Sequence, residues 1–393
     1  MAQRLYMRNA VLLAKIETTE GTDASPTGSA NAVLVSDVSI TPLAGNSVDL
    51  NYVRPYMGSS TSIRVEDYVQ ISFTVDLAGT ATAGTAAPWG PMLRGCGFSE
   101  TLTAAAITGA AQAGTTDTIT LASGASSVSG TYVGATIAYT TGGTNFGTAR
   151  TIIAYNGSTK VATVNKAFDT APGASSGYSI GANATYLPVS TGFESLTLYY
   201  NVNGVRHKIL GARGSFSLTQ TAQERPALKF SYTGNFGGVA DASEATPDYT
   251  GYRVPVPVNS TNTRALIAGK QTDGSATGVQ LQSFSLDLAG TVTHRMLVGS
   301  ESVQFTDRKP AGDVVIEATT VTFKDWWTDV RTSVTAPLLI ENGTVAGNTT
   351  AVVLPKAQLT DPTLSDSDGI AMLNLKVLAL PLVANDELRI VVK

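Results

Sequence analysis

Residues able to do chemistry are sparse in this 393-residue chain, and the few present stand far apart. There is one cysteine, Cys96, and there are two histidines, His207 and His294. A nucleophilic triad needs a histidine within reach of a serine or cysteine, with an acid to orient it. Both histidines lie instead in turn-and-strand segments, His207-Lys208 and Thr293-His294-Arg295, where solvated hairpin positions account for them. A zinc site needs clustered Cys and His ligands, which this inventory cannot supply. Asp366-Ser367-Asp368-Gly369 comes nearest to a calcium loop, yet it lacks the further oxygen ligands and the distal glutamate, and Asp-Gly is an ordinary turn pair. Asp361, Asp366 and Asp368 could be paired carboxylates of a glycosidase, but no apolar pocket is evident to raise one of them. No Gly-x4-Gly-Lys-Ser/Thr phosphate loop occurs, and Gly142 to Gly147 cannot substitute for one. The expectation is a protein that is not an enzyme, with no catalytic, cofactor-binding or metal-binding residues.

Composition excludes further classes. A net charge of -4 without any Lys/Arg cluster argues against gripping nucleic acid through its phosphates. One cysteine forbids an internal disulfide, so nothing requires an oxidising compartment. The apolar run Ala10 to Ala14 is too short for a signal core or a membrane span, so no membrane insertion is expected. The sequons at Asn156, Asn183, Asn259, Asn342 and Asn348 carry meaning only on a secretory route. With 43% hydrophobic and 14% charged residues, and 38 glycines among strand-forming Thr, Ser and Val, the chain reads as all-β with sizeable cores and many turns.

The elements that must position these residues recur. A unit of strand, turn, strand and long alternating strand begins near Val33, Ser195, Ser283 and Leu338. At constant offset Ser195, Leu196, Leu198, Ile209 and Gly211 fall on Ser283, Phe284, Leu286, Leu297 and Gly299. Closing strands alternate with period two, as in Ile71, Phe73, Val75 and Leu77 or Leu228, Phe230 and Tyr232. Trp89, Met92, Leu93 and Cys96 form a helical stripe, as do Phe323, Trp326, Trp327 and Val330. The stripes explain the tryptophans as core or interface in preference to a sugar platform, and bury the Cys96 thiol. Pro88 suits a first turn, Gly97 a C-terminal cap, and Thr322 with Asp325 a capping box.

The order of unit, helix, unit, repeated twice, predicts an internal duplication of one β-sandwich domain carrying a short helix. Residues 103 to 186 interrupt the first copy as a small inserted all-β domain, with strands near 118–121, 131–139, 149–155 and 160–164 and a two-residue hairpin at Asn156-Gly157. The expected division is an N-terminal arm at 1–32, a first domain at 33–102 and 187–240, the insert at 103–186, a connector at 241–274 anchored by Tyr249, Tyr252, Val254, Val256 and Val258, and a second domain at 275–393. Arms with no core of their own, like residues 16 to 32, commonly become ordered only against a neighbour.

Several segments together carry a family resemblance. Leu12-Leu13-Ala14-Lys15-Ile16-Glu17-Thr18-Thr19-Glu20-Gly21-Thr22-Asp23, Val53-Arg54-Pro55-Tyr56-Met57-Gly58, Trp89-Gly90-Pro91 with Leu93-Arg94-Gly95-Cys96-Gly97-Phe98, Gly211-Ala212-Arg213-Gly214, Thr306-Asp307-Arg308-Lys309-Pro310 and Asn385-Asp386-Glu387 resemble the major tail tube proteins of long flexible-tailed bacteriophages. The resemblance spans nearly the whole chain outside the insert. It implies that the duplicated domains are tail-tube β-sandwich or barrel domains, in a structural virion protein whose rings stack into a conduit for genome delivery. Implied partners are other copies of the chain, the tape-measure protein and genomic DNA in the lumen without sequence-specific binding, the tail terminator and distal tail proteins. The implied location is the virion tail, assembled in the host cytoplasm. Family rings commonly have six one-domain chains, so two domains per chain lead to a homotrimer with pseudo-sixfold symmetry, with a hexamer as the alternative. The arm and hairpins would then join stacked rings, and the insert would decorate the outside. The competing readings are a β-rich enzyme and a cell-surface or carbohydrate-binding module.

Overall fold

Alternating apolar and polar residues make a strand with one face to bury, and long runs of this kind dominate the chain. In the computed structural model, which describes residues 4–141, 147–174, 176–272 and 278–393, they form a mostly β protein with three short helices among those residues. In chain order the main elements are β1 (Ala10–Ile16), β2 (Ser36–Ala44), β3 (Tyr68–Asp76), α1 (Gly90–Gly95), β4 (Phe98–Thr103), β5 (Asn183–Pro188), β6 (Leu196–Val202), β7 (Val205–Thr221) and β8 (Ala227–Asp241). There follow β9 (Thr263–Ile267), β10 (Leu281–Asp287), β11 (Ala311–Glu317), α2 (Trp326–Arg331), β12 (Thr335–Asn342), β13 (Thr350–Ser367), β14 (Ile370–Leu380) and β15 (Arg389–Val392).

Eight of these strands pair antiparallel in one unbroken row, β2-β3-β8-β7-β10-β11-β14-β13. The long strands β7 and β13 leave this row at one end and enter a second layer, where β1-β6-β7 and β9-β12-β13 are paired. Between the layers lies one apolar core that includes Phe73, Phe216, Phe230, Phe284, Val314, Leu354, Leu375 and both helix tryptophans, Trp89 and Trp326. β4 and β5 pair with each other, and β5 also takes the last strand, β15.

The pairing corrects the four-unit reading. β6 joins β7 directly through a two-residue turn, whereas β10 pairs with β11 across an intervening hairpin, Thr291–Leu297 with Ser300–Asp307. Ile209 is buried in β7, while its supposed counterpart Leu297 stands 52% exposed near a hairpin tip. A constant offset between two alternating strands matches their faces and says nothing of their partners.

Helix α1 buries Met92 and Leu93 on its own turns, with Trp89 and Cys96 buried at its two ends, and Gly97 closes it with φ +81°. Helix α2 begins later than expected. Its N-cap is Asp325, whose carboxylate accepts from the Thr328 N–H, and the capping box at Thr322 does not form. Of its four stripe residues only Trp326 is buried; Trp327 is 43% exposed.

Residues Ile107–Ile180 make a separate sheet of seven strands that enters and leaves through the paired β4 and β5. Its strand Thr136–Thr141 starts later than the expected 131–139. The turn after Asn156 holds four residues, because Asn156 Oδ1 accepts from both Ser158 and Thr159 N–H groups and draws the chain into a wider loop. This sheet leans on the second half of the chain. Its Ile152 and Tyr155 share a cluster with Leu266, Leu339, Val353 and Val391.

The expected free arm and plain connector both differ. Within the arm, β1 is a full member of the sheet and is covered on both faces: Leu12 and Ala14 join the main core, while Leu13 packs with Ala32 and Tyr199. The connector ends in β9, which pairs with β12. Tyr252 and Val258 anchor it, while Val254 is 83% exposed.

Candidate functional site

The residues weighed for chemistry are dispersed. Cys96 is buried, its thiol pushed up to about 12 by desolvation despite a hydrogen bond to the Tyr232 hydroxyl. His207 lies partly buried against Tyr200, and burial lowers its pKa. His294 is not solvated: its side chain is 3% exposed, clasped between Glu66 at 2.9 Å and Glu301 at 3.1 Å, where it ties the 291–307 hairpin to the segment before β3. No nucleophile accompanies either histidine in the described contacts. Asp368 and Gly369, with φ of 55° and 84°, make the tight β13–β14 turn, and Asp366 caps it by accepting from the Gly369 N–H. Asp361 occupies a bulge in β13. Among the described residues no group of three His, Cys, Asp or Glu side chains converges on a metal position. The Gly142-to-Gly147 segment lies outside the described residues apart from Gly147.

Four of the segments that carry the resemblance, 12–23, 211–214, 306–310 and 385–387, take part in polar clasps. Glu17 accepts from Ser195 Oγ, Thr197 Oγ1, Gly211 N and Gly21 N, all between 2.7 and 2.8 Å. Three residues on, Glu20 receives both terminal guanidinium nitrogens of Arg213 at 2.8 Å. Asp23 accepts from the Tyr199 hydroxyl and Lys208 Nζ, each at 2.6 Å. Burial alone raises the Asp23 carboxyl, but the bonds from Lys208 and Tyr199 outweigh it and leave it below its ordinary value. Arg308 likewise joins both halves: it donates to Glu387 at 2.6 Å, to Asn385 at 2.8 Å and to the Val189 carbonyl. These are positioning contacts. Glu17 satisfies backbone and hydroxyl donors that burial would otherwise strand, while Glu20 and Glu387 satisfy the guanidinium groups of Arg213 and Arg308.

Two surfaces suit contacts with other molecules. One is the face of the eight-strand row turned away from the core. A single cross-strand line runs Thr219, Ser285, Asp313, Lys376, Thr360, and a second runs Thr74, Lys229, Ser217, Asp287. Its charges include Asp76, Asp287, Asp313 and Glu317 against Lys229, Lys356 and Lys376, and Arg225 pairs with Asp76 at 3.0 Å, so the face is hydroxyl-rich with charges of both signs and no basic cluster. Such a face holds phosphates weakly.

The other surface is the pair of row ends. Among the described residues β2 pairs only with β3, and β13 beyond Gln358 only with β14. Leu364 sits opposite Leu373 on the core side of β13, yet it is 62% exposed while Leu373 is buried. Sequence alone did not single out Leu364. Its one legible signal is an apolar residue on a strand that otherwise turns polar toward its hairpin. The loop between Asp49 and Ser62 also leaves Tyr52, Val53, Tyr56 and Met57 exposed, as the 291–307 hairpin leaves Leu297 and Val298.

Neither a protein-family model nor a curated protein sequence matches the chain. Among the described residues no helix is long and apolar enough to cross a membrane.

Proposed function

We propose that this chain is the structural subunit of a hollow tube of the phage-tail kind, built from stacked rings, through which a genome passes to the host. The observation that carries the reading is the repeated order of strands. In chain order, β1, β2, a hairpin, β3, α1, β6, β7 and β8 correspond to β9, β10, a hairpin, β11, α2, β12, β13 and β14, with β4, the insert and β5 added to the first set. Pairing follows the same rule, since β2-β3-β8-β7 in one half matches β10-β11-β14-β13 in the other. We read this as two copies of one tube domain side by side in a single chain.

On this reading the hydroxyl-rich face of the row, with charges of both signs and no basic cluster, lines the lumen. There the tape-measure protein, and later DNA, slide without a basic surface to trap phosphate. The insert lies on the opposite layer, packed against β9, β12, β13 and β15, which supports placing it outside the tube. The exposed apolar tips of the two hairpins suit contacts between stacked rings, and the tail terminator and distal tail proteins would meet the ends. The subunit belongs to the virion tail and is assembled in the host cytoplasm. Three chains, each supplying two tube domains, then close a pseudo-sixfold ring. Class averages of assembled tubes, with light-scattering masses of single rings, test this: three chains of 40.7 kDa per ring are expected, and six would sink the trimer.

One observation favours a second reading as a carbohydrate-binding module: Tyr52 and Tyr56 stand 64% and 66% exposed on a loop, as a sugar platform requires. Negative-stain microscopy of concentrated protein separates the two, since rings or tubes belong only to the first.

A further inference from the structure

Within the eight-strand row the two halves meet where β7 pairs with β10, and that seam is a template. β7 is flanked by β6 as far as Ala212; further along, from Ser217 to Thr221, the same edge takes β10, as Ser217 opposite Asp287 through Thr221 opposite Ser283. The contact is dry: Leu218, Leu286 and Phe284 are at most 1% exposed. β13 is built the same way up to that point. It is flanked by β12 as far as Gln358, and beyond there its edge has no partner among the described residues. β2, the first row strand of the first half as β10 is of the second, has its outer edge free, and its Val38 and Ile40 are only partly covered by the core.

We propose that β13 of one copy pairs antiparallel with β2 of the next, so that the seam between chains repeats the β7–β10 seam within the chain. This rests on the tube reading and specifies its closing contact. The contact is head to tail, because the two edges differ, and such contacts generate rings when the rotation closes. It covers Leu364 with Val38 and Ile40 of the neighbour, the role that Leu218 and Leu286 play inside the chain. Pro42 and Pro362 lack an N–H and bound the ladder, leaving Ser39–Thr41 and Thr363–Ser367 as the pairing stretches. A free apolar sheet edge is otherwise a template for unregulated aggregation.

The experiment blocks one edge at a time in the full chain. Leu364→Asp spoils the β13 edge and Ile40→Asp the β2 edge, and each variant alone is expected to sediment as a single 40.7 kDa chain with its fold intact by circular dichroism. Mixed in equal amounts they retain one sound edge each, so a species of two chains and no ring is expected. Rings from either variant at the parent's concentration overturn the seam while leaving the tube reading in place. So does a mixture that stays single while both variants are folded. Because Ile40→Asp touches the core, a second measurement uses cysteines on the polar side of both edges. Ser39→Cys is combined in turn with Thr363→Cys, Ser365→Cys and Ser367→Cys, and Cys96 is buried and silent. One of the three is expected to form a disulfide between chains, and none doing so within assembled rings counts against the seam. A parent chain that never forms rings or cross-links overturns both readings.

Discussion

At the scale of single residues, the acids near the N-terminus do structural work that their spacing in sequence does not disclose. Asp23 is held by Tyr199 and Lys208, residues more than 170 positions away. Its carboxyl titrates below the ordinary value in the folded chain. A carboxyl depressed on folding adds stability above its unfolded pKa, near 4, and that stability is lost as pH falls through the lower folded value. The stability difference between the parent and Asp23→Asn, measured by urea denaturation, is therefore expected to be largest above about pH 5 and to vanish toward pH 2. With about a quarter of the Asp23 side chain exposed, the full effect is about 1 kcal/mol or less. A difference independent of pH would mean that the carboxylate charge plays no part in the clasp. Glu17, Glu20 and Arg308 illustrate the limit of reading such sites from sequence. They fall within segments that carry the family resemblance, but their partners come from strands whose adjacency only the fold determines.

At the scale of elements, alternation told which residues of a strand face inward, and the buried sets Ile71, Phe73, Val75 and Leu373, Leu375, Val377 follow it. It could not tell which strand lies beside which, because every half-buried strand has the same period. That is why Ser195–Gly211 and Ser283–Gly299 align by offset and yet have different neighbours. Helix spacing was legible to within a turn. The first stripe packs as expected, whereas the second is shorter, because Asp325 caps it and leaves Phe323 outside the helix. The adjacent tryptophans of α2 make the difference measurable. Trp326, 1% exposed with its indole N–H on Thr319, is expected to cost roughly 3–5 kcal/mol on truncation to alanine. Trp327→Ala is expected to cost within about 1 kcal/mol, as surface changes do. Equal costs in thermal or chemical denaturation would mean that the helix packs by a different face.

At the scale of the whole molecule, the insert belongs by sequence to the first half and by packing to the second. It caps Leu266, Leu339, Val353 and Val391, each at most 4% exposed, and Lys393 Nζ, buried beside Glu341 at 2.9 Å, also bonds Thr151 of the insert. Removing residues 107–180 is therefore expected to lower the unfolding temperature and solubility of the remaining chain, by uncovering that apolar face. A deletion variant as soluble and as heat-resistant as the parent, by light scattering and calorimetry, would show the packing to be dispensable. The presence of an inserted β-unit was legible from its Gly, Ala, Ser and Thr content and its own strand signals. Its resting place was not, since small apolar residues mark a buried face without naming what buries it.

The pairing of β5 with β15 also sets a clock. β5 ends at Pro188, and the strand that covers its second edge begins at Arg389. At bacterial-to-eukaryotic elongation rates of about 5–20 residues per second, the ribosome needs roughly 10–40 s to make the intervening chain. Throughout that interval the edge of β5, and the insert surface that rests on Val391, have no cover. The first half therefore cannot reach its final packing while it is being synthesised, and the molecule closes only after its last strand has left the ribosome.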